Sequence, residues 1–296
     1  MVWICGLLWG SALLYTQYLL DNGITSKDIV SWKMLFGAIA MFIYIYIKDR
    51  ELLKIDKKGL FYTAFMGLFC HALFNLFVFT AMEKTTIATT VALLYTSPIF
   101  VMIISRFTLQ EKFTINKLCA LVLCVLGVFL TVTGGDVGEL SFNISGISFG
   151  LAAGFAYAIM NLLNKILLDR YNEITILAYT LGFAFLFSLF FSNPSVALKI
   201  EFDILIWLFL FMSGAVATAL GYLLFISGLA NGVESSKAAI IVTLEVPVSV
   251  TGSYFLFNQP LGLWKVIGIM LVLISVVALQ DNIFQSLMGD KREVKI

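Results

Sequence analysis

Apolar stretches about 20 residues long, divided by short polar joins, follow one another along almost the whole chain. The pattern predicts ten helical spans, at residues 2–20, 28–47, 59–81, 86–105, 115–133, 146–168, 174–192, 204–226, 236–257 and 261–280. Each run is long enough for a hydrocarbon core of roughly 30 Å. Inside such a core only helices or closed barrels satisfy their own backbone groups. Barrel strands would alternate over about 10 residues, so uninterrupted runs of this length read as helices. The expected fold is all-α and polytopic, and the joins leave no room for a soluble domain.

One stretch occurs twice. AMEKTTIATTVALLYTSPIF, which begins at Ala81, passes through Pro98 and leads on to Glu111, is answered by the stretch from Ala230 through Pro247 to Gln259. The alanine and proline are 17 positions apart in both copies. Five spans per copy is an odd number, so the second copy enters the bilayer from the opposite side. The expectation is two inverted five-helix repeats, residues 1–140 and 141–281, followed by a cytoplasmic tail at 282–296. Inverted repeats of this kind characterise carriers that bind cargo near the midplane, between their halves. Pro98 and Pro247 lie at equivalent depths. A proline deep in a helix lacks a donor and pushes away the carbonyl four residues earlier, here Leu94 or Thr243. The two prolines are therefore expected to act as paired hinges.

Composition agrees with a membrane setting. The chain is 60% hydrophobic and 12% charged, against about 25% charged in soluble domains. With the first residue placed in the cytoplasm, 14 of the 19 lysines and arginines fall on the cytoplasmic side. The positive-inside rule then predicts a multi-pass protein of the plasma membrane with both termini cytoplasmic. The opening MVWICGLLWG has no basic stretch and no small-residue cleavage site, so the first run is read as a retained span. Cys5, Cys70, Cys119 and Cys124 lie within apolar runs and read as reduced, buried thiols. Neither a metal nor a cofactor is expected, and no nucleic-acid partner.

Several motifs resemble the EamA-type carriers of the drug/metabolite transporter superfamily. LLWGSALLYTQYLL (7–20) is similar to that family's opening helix, FTAMEKTTIATTVALLYTSPIF (79–100) to its third-to-fourth helix join, and TLQEKFT (108–114) to its loop glutamate motif. The second copy matches at GLANGVESSKAAIIVTLEVPV (228–248) and FNQPLGLWKVIGIMLVLISV (257–276). The chain departs from the family pattern where Val246 separates Glu245 from Pro247, where Gln259 replaces a glutamate, and where Lys33 replaces an arginine. The resemblance implies a secondary, non-ATP-driven transporter, an exporter of small metabolites such as amino acids, amines or drugs.

A polar group deep in the bilayer is costly and is a functional candidate by default. Tyr15, His71, Asn75, Tyr95, Tyr157, Asn161 and Glu245 are the candidate substrate-binding residues, expected to line one midplane cavity. His71 and Asn75 are one turn apart, on a face shared with Gly67. Glu245 is the one carboxylate expected at mid-depth. Protons are the candidate coupling ion, through Glu245 or His71. Lys33, five residues inside its span, is expected to snorkel outward or to form a structural ion pair. Partners are therefore a small molecule and membrane lipids, with the chain a monomer or homodimer. Two alternatives stand beside transport: a membrane-embedded enzyme on lipid-linked substrates, and a non-transporting assembly or sensor protein. HExxH, GxSxG and P-loop motifs are absent, which weighs against the enzyme.

Overall fold

The computed structural model describes residues 1–136, 138, 140, 143–193 and 203–279. Pro194, Lys199 and the predicted tail lie outside the described residues. Among the described residues all the regular structure is helical. Eight helices are long and apolar enough to cross a membrane: α1 (Val2–Asp21), α2 (Ser26–Lys48), α3 (Lys57–Lys84), α4 (Ile87–Thr108), α5 (Ile115–Thr133), α6 (Ile144–Leu167), α8 (Ile204–Ala230) and α9 (Ser235–Phe257). Two apolar helices of 16 residues complete the set, α7 (Glu173–Ser188) and α10 (Leu263–Ala278). At 1.5 Å per residue each rises about 24 Å. That is less than the predicted spans at 174–192 and 261–280 would reach. The chain is a multi-pass membrane protein.

The helix starts follow from short polar side chains. Thr25, Asp56, Thr86, Thr114, Asn143, Asn172 and Asp203 each accept a hydrogen bond from an amide in the first turn that follows. Such caps satisfy donors that have no partner inside the helix. Two turns end on left-handed residues, Gln110 (φ 56°) and Asn258 (φ 52°).

Four helices are irregular inside, and in pairs. α3 widens to π geometry at Met66–Leu73, and α8 does so at Met212–Leu220. α4 breaks at Tyr95–Thr96 and restarts at Ser97, while α9 tightens to a 3₁₀ turn at Val242–Leu244 and restarts at Glu245. Pro98 and Pro247 sit in the first turn of the restarted segments, where no amide donor is needed. The expected bends are thus breaks immediately before the prolines. The π segments carry no proline and were not legible beforehand.

Helix packing repeats between the first five helices and the second five. α1 packs on α8 and α9, and α6 on α3 and α4. α2 packs on α7 and α8, α7 on α2 and α3, α5 on α10, and α4 on α9. Glycines permit the closest approaches. A Cβ on Gly67 would lie 2.6 Å from the Cβ of Phe183, and one on Gly214 would lie 2.6 Å from the Cβ of Phe36. Gly67 and Gly214 are 147 positions apart, as are Phe36 and Phe183, so the two contacts pair the same residue types at the same spacing. Gly127 and Gly268 face each other between α5 and α10 in the same way.

Candidate functional site

The breaks in α4 and α9 meet through a side-chain hydrogen bond. Tyr95 ends the first half of α4 and is 8% exposed. Its hydroxyl donates to Glu245 Oε1 at 2.7 Å. Among the described residues Glu245 forms no ion pair. Tyr157, Tyr222 and Cys5 are within electrostatic reach of its carboxylate. Among the described residues the buried Tyr157 hydroxyl has no hydrogen-bond partner, which costs about 1–3 kcal/mol unless something supplies one.

Beside the carboxylate is an aromatic cluster. Trp9 contacts Tyr222 (ring centroids 4.8 Å apart), Phe225 (5.7 Å) and Tyr157 (6.3 Å). Trp9 comes this close because α8 carries glycine at 221; a Cβ there would be 2.7 Å from the indole nitrogen. The His71 ring stands edge-on to Tyr222 at 5.2 Å. His71 is buried and belongs to the π segment of α3.

A narrow cleft of about 20 Å³ enters from the end opposite Met1, lined by Lys27, Val30, Ala72, Asn75, Phe79 and Ser188 among others. It has room for about one water. Val30, Lys33 and Gly37 form one stripe of α2. Val30 lines the cleft, and Gly37 lies against Gly214 and Thr218 of α8. Lys33, between them, is half-buried and within electrostatic reach of His71. Among the described residues it makes no ion pair, so of the two roles expected for it, snorkelling or a structural ion pair, the pair is not seen there. A larger cleft, about 650 Å³, lies at the Met1 end between Trp3, Asn231, Glu234, Lys237 and Ile241.

The predicted site residues divide accordingly. Tyr95, Tyr157, Glu245 and His71 come together around Trp9 and Tyr222. Asn75 is on the cleft wall, its amide donating to the His71 carbonyl of its own helix at 2.7 Å. Tyr15 stacks on Phe209, centroids 5.4 Å apart, nearer the end opposite Met1. Asn161 donates to the Ser235 carbonyl at 3.4 Å near the Met1 end. Among the described residues no group of three His, Cys, Asp or Glu side chains is arranged to hold a metal. Beyond the helices, Asp56 accepts from the Tyr171 hydroxyl at 2.5 Å and from the Gly59 amide at 2.7 Å. These bonds hold the Asp56 carboxyl below its ordinary range, with the tyrosine the larger cause.

A bundle of apolar helices, broken at a buried carboxylate and its tyrosine partner, is the architecture of a membrane transport protein. The profile of the EamA-like transporter family matches residues 1–133 and 144–279, and the chain belongs to that family. It is 24% identical over 281 residues to the uncharacterized inner membrane transporter YicL of Salmonella typhimurium, covering 93% of this chain and 92% of that one. An uncharacterized transporter of Archaeoglobus fulgidus is 30% identical over 66% of this chain and 68% of its own length. The S-adenosylmethionine uptake transporter of Rickettsia conorii is 22% identical over 81% of this chain and 78% of its own length. A crystal structure sharing 13% identity superposes with a TM-score of 0.78, covering 98% of this chain and 97% of the other. That likeness concerns the fold alone.

Proposed function

We propose that the chain is a secondary carrier of small metabolites, built as ten spans in two inverted five-helix repeats with both termini in the cytoplasm. Cargo binds at the contact between the repeats and is exposed to the two faces in turn. One observation carries this reading: the Tyr95–Glu245 hydrogen bond joins the two copies at equivalent helix breaks, beside a tyrosine hydroxyl with no partner. The exchange of contacts between Gly67–Phe183 and Gly214–Phe36 supports the two-fold relation, because a rotation that swaps the copies swaps exactly such partners.

The chemistry around the site favours cargo with a cationic group. Glu245 supplies an acceptor, and the faces of Trp9, Tyr157 and Tyr222 suit a cation in a desolvated site. Lys33, with no ion-pair partner among the described residues, suits an anionic group at the cleft end. An amine or amino acid satisfies both, and outward transport is the direction proposed. Uptake, as the name of the Rickettsia relative states, is the direction the experiment must be able to detect. The test is flux in proteoliposomes, with amino acids, amines, drugs and S-adenosylmethionine offered from either side. Glu245→Gln is expected to lower the flux of a transported compound while membrane abundance holds. Equal flux in wild type and variant removes Glu245 from the mechanism. Accumulation driven by an imposed pH gradient marks proton coupling, and its absence marks facilitated exchange.

A further inference from the structure

Two corners of the molecule share one turn geometry, but among the described residues only one of them makes side-chain hydrogen bonds to the other repeat. At the Met1 end, α4 leads into a turn with Gln110 left-handed, and the Glu111 amide bonds the Ser105 carbonyl at 3.2 Å. Lys117, 2% exposed, donates to the Lys112 carbonyl at 3.0 Å. At the opposite end α9 leads into the same turn: Asn258 is left-handed, and the Gln259 amide bonds the Ser253 carbonyl at 3.3 Å. There Lys265 donates to the Pro260 carbonyl, also at 3.3 Å. Every residue of the second corner is 148 positions after its counterpart.

The first corner reaches across to the other repeat. Glu111 accepts from the Ser235 amide at 2.6 Å, the Ser236 amide at 3.1 Å and the Ser236 hydroxyl. It thereby caps the start of α9, which has no side-chain cap of its own. Lys117 reinforces this, 3.0 Å from Glu234 and 3.8 Å from Glu111. Beneath the junction Asn161 holds the Ser235 carbonyl, and Lys165 donates to the Leu229 carbonyl at 2.5 Å. Among the described residues the second corner makes no hydrogen bond of this kind to the first repeat, although Trp264 and Lys265 lie against Gly135 and Gly134. Gln259 is exposed, with no side-chain partner among the described residues. Its expected dock, the start of α4, is capped by its own Thr86. The narrow cleft enters from this same end.

We propose that the Glu111 corner is the closed latch of one face and the Gln259 corner the released latch of the other. In the alternate state Glu111 leaves Ser235 and Ser236, and the Gln259–Lys265 corner closes on the first turn of α4. The latches are unequal by chemistry. A carboxylate on backbone amides makes charge-assisted bonds about twice as strong as neutral ones, whereas Gln259 offers only a neutral carboxamide. The Glu111 corner is therefore the latch closed at rest, the 650 Å³ cleft at that end lying beside it, lined by α1, α10 and residues 231–241 and by no residue of α2–α7, and the residue pair Glu111/Gln259 sets that bias.

The test reads accessibility and needs no substrate, so its outcome is independent of the transport assay. In a chain with Cys5, Cys70, Cys119 and Cys124 replaced, a single reporter cysteine is placed either at Ala72, on the cleft wall, or at Asn164, buried beneath the closed latch. Each is labelled in membranes with an impermeant maleimide from its own side. Glu111→Gln is expected to raise Asn164→Cys labelling and to lower Ala72→Cys labelling, each by about tenfold, the scale of one charge-assisted hydrogen bond. Gln259→Glu is expected to move both rates the same way while leaving the first latch intact. Glu111→Asp, which keeps the charge, should retain most of the wild-type pattern. If Asn164→Cys labelling rises in Glu111→Gln with no fall at Ala72→Cys, the corner is a local brace and the proposal fails. Unchanged rates in Gln259→Glu overturn it as well.

Discussion

Replacing Gly214 with alanine tests the packing between α2 and α8 and, through its image at Gly67, the relation between the two copies. A methyl on Gly214 would lie 2.6 Å from the Phe36 Cβ, 2.7 Å from the Lys33 carbonyl oxygen and 3.2 Å from the Gly37 nitrogen. On Gly67 it would lie 2.6 Å from the Phe183 Cβ and 2.8 Å from the Ala184 nitrogen. These neighbours are backbone or Cβ atoms, so no rotamer change relieves the clash and the helices must separate. Overpacking of this kind costs about 1–3 kcal/mol, and the rigid neighbours put both sites near the top of that range. Alanine recovers about 1 kcal/mol through helix propensity, leaving a net loss of about 2 kcal/mol at each site. Gly182→Ala, in α7, is the matched control: its nearest neighbour is the Phe42 ring at 3.4 Å, so propensity prevails and the variant is neutral or stabilised. Thermal unfolding of the purified proteins in one detergent gives the ranking. Gly67→Ala and Gly214→Ala should melt below wild type by similar amounts, with Gly182→Ala at or above it. If Gly214→Ala melts with Gly182→Ala, the close α2–α8 contact is wrong. If the two clashing variants differ widely, the equivalence of the copies is wrong.

Tyr95→Phe removes the hydroxyl that donates to Glu245. It should cost about 1.5–3 kcal/mol of stability, the scale of a hydrogen bond to a charged group, and equal melting of variant and wild type would mean that the carboxylate is satisfied elsewhere. Tyr171→Phe removes the main cause of the low Asp56 pKa. Because the folded value lies below the unfolded one, Asp56 contributes stability at pH values above its unfolded pKa and loses that contribution as pH falls through the folded value. The variant should titrate closer to the ordinary carboxylate range, seen as an upward shift of the Asp56 midpoint by NMR; an unmoved midpoint would assign the depression to the Gly59 amide.

Much of the architecture was legible because the bilayer restricts what a chain can do. A backbone without water must form helices, so runs such as Phe61–Thr80 could be read as helical directly from their composition. The repeated spacing from Ala81 to Pro98 and from Ala230 to Pro247 placed the two breaks, since a proline rules out a helical hydrogen bond wherever it falls. The partner of each polar group depended on packing between helices distant in sequence. Tyr95 meets Glu245 across 150 residues, and Glu111 finds Ser235 across 124. Nothing local in either stretch encodes the other. Lys33 reads from its own helix as a lysine able to snorkel, and only the placement of α3 and α8 around it leaves it half-buried, with no ion pair among the described residues. The π segments were not legible either: Met66–Leu73 and Met212–Leu220 carry the glycines that meet α7 and α2, Gly67 and Gly214. Sequence by itself determined the helices, their repetition and the level of their breaks, because those follow from solvent and proline chemistry. Tertiary structure alone decided which polar side chains meet, Tyr95 with Glu245 and Glu111 with Ser235 and Ser236, because those contacts depend on how the helices fill one space.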